Sequence, residues 1–397
     1  MLTKKPYLIY GNGDCQNHGC EAIYRGTINL LGLPQTIRSS NVEIDKKSLP
    51  EFAEIINSAK GKYKRNLVYW KRYLRLRIKK EKTAMDVIPF LSAIEEDSMD
   101  ISIALSVGGD NYCYSDQEFY GDLNAAYNRS GIRTILWGCS IEPKLLNRPD
   151  ILRDLRSYSL IFARESISYE ALVDKGIRAL HFPDPAFFME TVLTDEINSK
   201  YLGKPSIGIN LSPMVISNEK KSGLIFDSAV KLIEYLLNST SYQILLIPHV
   251  IWKTNDDRVV LNEIKEKFKS CNRIKLVEDL PAPQLKGIIS RCDALVASRT
   301  HAAIAGYSSN IPVLAIGYSV KARGLVKDIY GDDSYCLVES DKFESEEELT
   351  DMMVKILNDR DILKKKSKLY NAWAKDIRTT LENYFDNFST SSLNLSE

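Results

Sequence analysis

Side chains that handle anions and protons crowd into one short stretch of the chain. Arg299, His301, Lys321 and Arg323 stand within residues 298–323. Arginine grips carboxylate or phosphate with a two-pronged fork, and lysine neutralises charge as a point. Histidine moves protons near neutral pH. Together they suit a small ligand carrying phosphate, carboxylate or both, with a proton transferred beside it.

The elements that must position these groups are legible around them. Asp293 to Ala297 is a short apolar run, the pattern of a buried strand. Thr300 has the type of a helix N-cap, and the small apolar residues from His301 to Ser308 predict a tightly packed helix. Pro312 to Gly317 predicts a second buried strand, and Tyr318 to Arg323 a loop carrying two cations. Both charged segments then fall at strand ends, the rim where open α/β sheets bind ligands. The helix start adds free backbone N–H groups and a positive dipole end.

Other strand ends carry further candidates. Ile101 to Val107 reads as a strand followed by Gly108-Gly109-Asp110-Asn111. Asp110 and Asn111 can bond sugar hydroxyls there, or the segment is a plain tight turn. A strand from Thr134 to Trp137 leads to Ser140, and one from Ser159 to Ala163 leads to Arg164. Arg164 is either an anion-binding residue or one half of an ion pair with Glu165 or Asp184. His249 follows a strand from Gln243 to Ile247, with Asp256-Asp257 beyond it reading as a loop or helix cap. The first strand, Pro6 to Tyr10, ends in a Gly-rich turn that lacks the spacing of a dinucleotide fingerprint. That turn holds Asn17, Cys15, His18 and Cys20. Their spacing matches no standard zinc site, so the expectation is a substrate-facing loop and no metal.

Composition sets the frame. At 397 residues the chain is sized for two domains, and 44% apolar content supports packed cores. With 53 basic and 52 acidic residues there is no global nucleic-acid footprint. No apolar run reaches the roughly 18 residues of a membrane span, and the start runs straight into a strand pattern without a signal peptide. Seven scattered cysteines suit a reducing, cytoplasmic setting. Residues 60–82 form the one strong charge cluster, with eleven cations, one anion and several large apolar side chains. A helix there is either a membrane-surface element or a solvated helix with its apolar face on the core.

Strands alternating with helices predict parallel, doubly wound sheets. The pattern breaks in polar residues 190–204. That gives a domain over 1–195 carrying the basic insert, a second over 205–385, and a frayed tail at 386–397. Ser345 and Glu348 have capping-box spacing, and Ser345 to Phe385 reads as two or three helices.

The segments Ser298-Arg299-Thr300-His301-Ala302-Ala303-Ile304-Ala305 and Ile311-Pro312-Val313-Leu314-Ala315-Ile316-Gly317-Tyr318-Ser319-Val320-Lys321 resemble the polysaccharide pyruvyl transferase family. Gly108 to Tyr112, Leu136 to Ile141, Ala163 to Ser166 with Asp184-Pro185, and Pro248-His249 with Asp256-Asp257 agree with it. The likeness spans roughly residues 7–330; the insert at 60–82 is not part of it. It implies two Rossmann-like domains facing across a cleft, as in B-type glycosyltransferases. The donor it implies is phosphoenolpyruvate, a co-substrate rather than a cofactor. The acceptor is a sugar of a lipid-linked or oligosaccharide precursor, and the product a pyruvate ketal. His301 and Arg164 are the positions best matched to the family's functional residues. Arg299, Lys321, Arg323, Asp110, Asn111, Ser140, His249 and Asn17 follow as substrate-binding candidates. A nucleotide-sugar glycosyltransferase and a non-catalytic glycan-binding relative are the competing readings. The expected location is cytoplasmic, with attachment to the inner membrane face open.

Overall fold

The structure, a computed structural model, describes residues 5–51, 54–59, 67–79, 84–96, 101–113, 117–317, 319–331 and 334–390. The chain divides into two units. One comprises Met1–Cys15 and Gly32–Asp184, the other Gln16–Leu31 and Pro185–Glu397.

The first unit is built on strands β1 (Lys5–Tyr10), β2 (Pro34–Ser39), β3 (Glu54–Asn57), β4 (Ile103–Ser106), β5 (Arg133–Cys139), β6 (Leu160–Ala163) and β7 (Ala179–His181). They lie in the order β3-β2-β1-β4-β5-β6-β7, every neighbouring pair parallel. β4 and β6 are buried at every position, as a sheet covered on both faces requires. Helix α1 (His18–Leu31) follows β1 in sequence but belongs to the other unit. The first unit's own helices are α2 (Val42–Ser48), α3 (Leu67–Lys79), α4 (Ile88–Glu96), α5 (Gln117–Arg129), α6 (Pro149–Leu155) and α7 (Ser166–Asp174).

The second unit repeats the plan. Its strands are β8 (Ser206–Asn210), β9 (Gln243–Leu246), β10 (Ile251–Trp252), β11 (Asn255–Asp256), β12 (Ile274–Leu276), β13 (Ala294–Ala297), β14 (Val313–Gly317) and β15 (Leu337–Glu339). The sheet runs β12-β9-β8-β13-β14-β15, again all parallel, with β10 and β11 a separate antiparallel ladder. Its helices are α8 (Asp195–Tyr201), α9 (Pro213–Ser217), α10 (Leu224–Ser239), α11 (Asp257–Lys267), α12 (Ala282–Ile289), α13 (Thr300–Ser308), α14 (Val320–Tyr330), α15 (Glu348–Asn358) and α16 (Arg360–Thr390). One core gathers the buried faces of β8, β9, β13 and β14 with α10, α12 and α13, among them Ile209, Leu245, Val296, Leu285 and Ile304.

Both sheets thus have the Rossmann order, in which the winding reverses between the first and fourth strands of the sheet in chain order. The switch point lies between β1 and β4 in one unit and between β8 and β13 in the other. Ligands of such sheets bind where strands at the switch point end.

The expected division at 190–204 is corrected in two ways. The boundary falls at Asp184 and Pro185, and Gln16–Leu31 joins the second unit. Helix α1 packs there against α12 and α13. A Cβ on Gly26 would sit 1.8 Å from the Pro185 carbonyl oxygen, so only glycine admits that approach. The tail is helical to Thr390, because α16 continues through the residues expected to fray; residues 391–397 lie outside the described ones. Within 60–82, only residues 67–79 are described.

Candidate functional site

In the second unit, three strand-end loops are tied together by two fully buried side chains. Asn210, at the end of β8, donates from Nδ2 to the Ile247 carbonyl at 3.0 Å and to Asp257 Oδ2 at 3.1 Å. Its Oδ1 accepts from the Arg299 backbone N–H at 2.9 Å. Asp257 Oδ2 accepts the backbone N–H groups of His249 at 2.9 Å and Val250 at 3.1 Å. Its Oδ1 accepts Arg299 Nε at 3.0 Å and Nη2 at 2.7 Å. The ends of β8, β9 and β13 are therefore fixed against one another by charge-assisted bonds away from water.

These bonds set out three histidines. His18 opens α1 and is buried, with Nε2 2.8 Å from Asp279 Oδ1 and Nδ1 3.2 Å from Glu21 Oε2. Burial alone would lower its pKa, but the Asp279 and Glu21 carboxylates outweigh it and raise the imidazole from 6.5 to about 9. His249 is the opposite case. Burial, then the neighbouring His18, His301 and Arg299, push it well below its ordinary value, so it is neutral at pH 7. Its ring lies 6.0 Å from that of His18, edge to face, and among the described residues its Nδ1 has no hydrogen-bond partner. His301, in the first turn of α13, is partly exposed. A Cβ on Gly19 would lie 2.4 Å from His301 Nδ1, so the α1 start and this ring are in close contact. Asn17 caps that start, its Oδ1 accepting the Gly19 N–H at 2.9 Å.

The second unit thus gathers Asn17, His249, Arg299 and His301 at one switch point. Arg299, rather than Thr300, is the N-cap residue of α13, and its guanidinium also reaches Asn255. Lys321 and Arg323 lie not in a loop but in the first turn of α14, because Ser319 already has the extended backbone of an N-cap. Arg323 Nη1 pairs with Glu339 Oε1 at 2.9 Å. The buried Ser319 Oγ has no hydrogen-bond partner among the described residues. Sequence reasoning missed His18 as a charged group, and Asn210 and Asp257 as the ties; Asp256 rather than Asp257 caps α11. No cluster of metal-ligating side chains occurs among the described residues.

The first unit gathers Asp110, Asn111, Ser140 and Arg164. Arg164 is fully buried. It bonds Ser140 Oγ from Nε at 2.8 Å, Asp184 from Nη1 at 2.9 Å and Asp110 from Nη2 at 2.5 Å. Burial opposes its charge, yet Asp110 and Asp184 drive its pKa further up. A catalytic Arg164 would have to reach substrate, whereas this guanidinium is enclosed and shared between two carboxylates. Of the two readings the sequence left open, the ion pair with Asp184 is present, and Arg164 joins the turns after β4, β5, β6 and β7. A Cβ on Gly109 would meet its Nη1 at 2.5 Å, which explains the glycine. Asn111 turns inward, donating to the Gly11 carbonyl at 3.3 Å. Beside it, a cavity of 220 Å³ opens where β1, β2 and β3 end, lined by Gly11, Asn12, Arg38, Ser40, Phe119 and Tyr120 among others. Gly11 and Asn12 belong to the Gly-rich turn read as a substrate-facing loop, whereas Arg38, Ser40, Phe119 and Tyr120 did not stand out in the sequence.

Comparison with known proteins agrees with the sequence motifs. The family model described as polysaccharide pyruvyl transferase matches residues 17–320. The amylovoran biosynthesis protein AmsJ of Erwinia amylovora is 23% identical over 358 residues, covering 81% of this chain and 85% of that protein. Among solved structures, UDP-GlcNAc 2-epimerase from Neisseria meningitidis bound to UDP-GlcNAc is similar with a TM-score of 0.60 at 12% identity, over 96% of this chain and all (100%) of that one. MnaA from S. aureus with UDP gives 0.58 at 14% identity, over 92% and 91%. HepE from Anabaena with UDP and glucose gives 0.57 at 11% identity, over 98% and 100%. At such identities these three establish the B-type glycosyltransferase-like fold alone.

Proposed function

Because the chain belongs to the polysaccharide pyruvyl transferase family, a family of transferases of polysaccharide biosynthesis, we propose that it moves the enolpyruvyl group of phosphoenolpyruvate onto a sugar to form a pyruvate ketal. The observation that carries this reading is the trio of imidazoles at the β8/β13 switch point. One is held charged, one neutral, and the partly exposed His301 lies against the start of α1 and near His249.

The chemistry follows from the donor. The terminal CH2 gains a proton and becomes the methyl group, leaving a cationic C2. One sugar hydroxyl attacks C2 and loses its proton. A second hydroxyl displaces phosphate and loses its own. Of the two hydroxyl protons, one balances the proton taken up by carbon and the other leaves with phosphate. His301 serves as the acid and base of these transfers. Arg299 and Lys321 favour the donor's anionic groups, and the Ser319 Oγ, without a hydrogen-bond partner among the described residues, is a further donor to them. Arg164 is a positioning residue that holds the turns of the first unit. The cavity beside Asn111 is sized for one sugar ring, with Phe119 and Tyr120 offering stacking faces and Arg38 and Ser40 polar ones. The acceptor is a lipid-linked or oligosaccharide precursor of a surface polysaccharide, used in the cytoplasm.

The test is phosphate release from phosphoenolpyruvate with a panel of lipid-linked and nitrophenyl sugars, alongside calorimetry with phosphoenolpyruvate and UDP-sugars. Acceptor-dependent phosphate release with a ketal product is expected. Binding of UDP-sugars alone would overturn the donor assignment in favour of glycosyl transfer.

A further inference from the structure

Helix α3 is built the wrong way round for a core helix. Leu67, Trp70, Leu74 and Ile78 are spaced to share one face. On an ordinary surface helix that face packs inward. Here the four are 70%, 51%, 53% and 74% exposed, and Tyr73 beside them is 38% exposed. Eleven large apolar side chains are exposed among the described residues, and these five are nearly half of them. The inward face instead carries Arg72, buried and paired with Asp122 of α5, and Arg75, 3.2 Å from the same carboxylate. The helix is pinned to its unit by charge and presents its apolar stripe outward.

The charge around the stripe identifies its occupant. Helix α3 holds Lys71, Arg72, Arg75, Arg77 and Lys79 and no acidic residue. With Arg72 and Arg75 engaged by Asp122, Lys71 and Arg77 are exposed and flank the stripe on opposite sides. The sequence to either side adds six more cations between Lys60 and Lys82. A second copy meeting this face about a two-fold axis would bring like charges together. An anionic bilayer meets both features, since its headgroups attract the cations and its acyl boundary accepts the stripe. Trp70 and Tyr73, edge to face at 6.0 Å, are residue types that favour that depth.

We propose that α3 is a bilayer-docking element that lies in the interface of an anionic membrane, with Leu67, Trp70, Leu74 and Ile78 in the acyl boundary and Lys71 and Arg77 among the headgroups. No helix among the described residues is long and apolar enough to cross a membrane, so the attachment is peripheral. The inference rests on α3 and its seat on α5, and stands whichever donor the enzyme uses. α5 also lends Phe119 and Tyr120 to the cavity, so docking brings that cavity towards a membrane-borne acceptor.

The experiment is flotation of the full chain with vesicles of phosphatidylcholine alone or mixed with phosphatidylglycerol. Binding to the mixed vesicles, weakening with salt, is expected. Lys71→Gln with Arg77→Gln should lower the partition coefficient roughly thirtyfold. Trp70→Ser with Leu74→Ser should abolish flotation while leaving phosphate release with a soluble nitrophenyl sugar intact. All four sites are exposed, so both variants fold, as circular dichroism will verify. Equal flotation of wild type and variants would overturn the proposal, as would no flotation at all. A wild-type dimer that Trp70→Ser with Leu74→Ser dissociates, without vesicle binding, would assign the face to a second copy instead.

Discussion

The two units carry strand-end clusters of similar parts that differ in what their charges face. In the first unit Arg164 and Asp184 are both fully buried and meet each other, with Asp110 as a third member. In the second, the partly buried Arg299 pairs with the fully buried Asp257, and three histidines stand nearby. A buried cation enclosed by carboxylates fixes turns and has no charge left to offer a ligand. Around the second pair the rings differ in charge, since burial and the neighbouring cations lower His249 while the Asp279 and Glu21 carboxylates raise His18. Under the proposed function the first cluster is framework and the second the place of proton transfer.

The sharpest way to break that contrast is to remove His301. His301→Ala is expected to lower turnover by roughly two to four orders of magnitude, while phosphoenolpyruvate affinity by calorimetry changes little. The remaining Arg299 and Lys321 still hold the anion. Near-normal phosphate release from the variant would shift the proton chemistry to His249.

Arg164 should behave differently, because its loss strands Asp184. Arg164→Met is expected to cost about 3–5 kcal/mol in urea unfolding. Replacing both partners, Arg164→Met with Asp184→Leu, should recover part of that loss, since no buried charge is then left alone. A single-variant loss below about 1 kcal/mol, the scale of an exposed pair, would remove its role as the strut of the turns.

His18 separates the clusters by pH. Its folded pKa is about 9 against 6.5 for a free imidazole, so the folded state binds the proton more tightly. The stability this adds is complete below pH 6.5 and disappears as pH rises through 9. The wild type should therefore lose up to about 3 kcal/mol relative to His18→Gln over that window. A stability difference independent of pH would mean that Glu21 and Asp279 do not hold the ring charged.

How far the sequence revealed this arrangement depended on the reach of each signal. The buried strands β4, β8, β9, β13 and β14 were legible because each is a short apolar run between turn residues. β2 was not: it opens on Pro34 and carries Gln35 and Arg38, so its pairing with β1 comes from the sheet and not from its own pattern. β3 and β15 are short edge strands whose half-exposed residues give no run. His301 and Arg299 could be found because they sit at the end of a strand with a strong pattern. His18 could not be read as charged, since that depends on Asp279, 261 residues away. Asn210 and Asp257 fall in the same class, as 47 positions separate them. The transfer of α1 to the second unit depends on the close approach at Gly26, which no local pattern encodes.

The subtlest test perturbs His301 without touching its chemistry. Gly19 lies in the first turn of α1, where alanine is by itself the better helix former by roughly 0.8–1 kcal/mol. Its added Cβ, however, would lie 2.4 Å from His301 Nδ1 and 3.0 Å from Asn17 Oδ1, and the ring must move aside. A displacement on the order of 1 Å costs up to about a hundredfold in rate when the moved group is the one that transfers the proton. Gly19→Ala should therefore reduce turnover roughly ten- to a hundredfold, less than removing the ring, with the melting transition nearly unchanged. The double variant with His301→Ala should be no slower than His301→Ala alone, since the methyl group then meets an empty space. Additive losses would mean that Gly19→Ala acts through the α1 cap at Asn17, and His301 would lose this support for its place in the reaction.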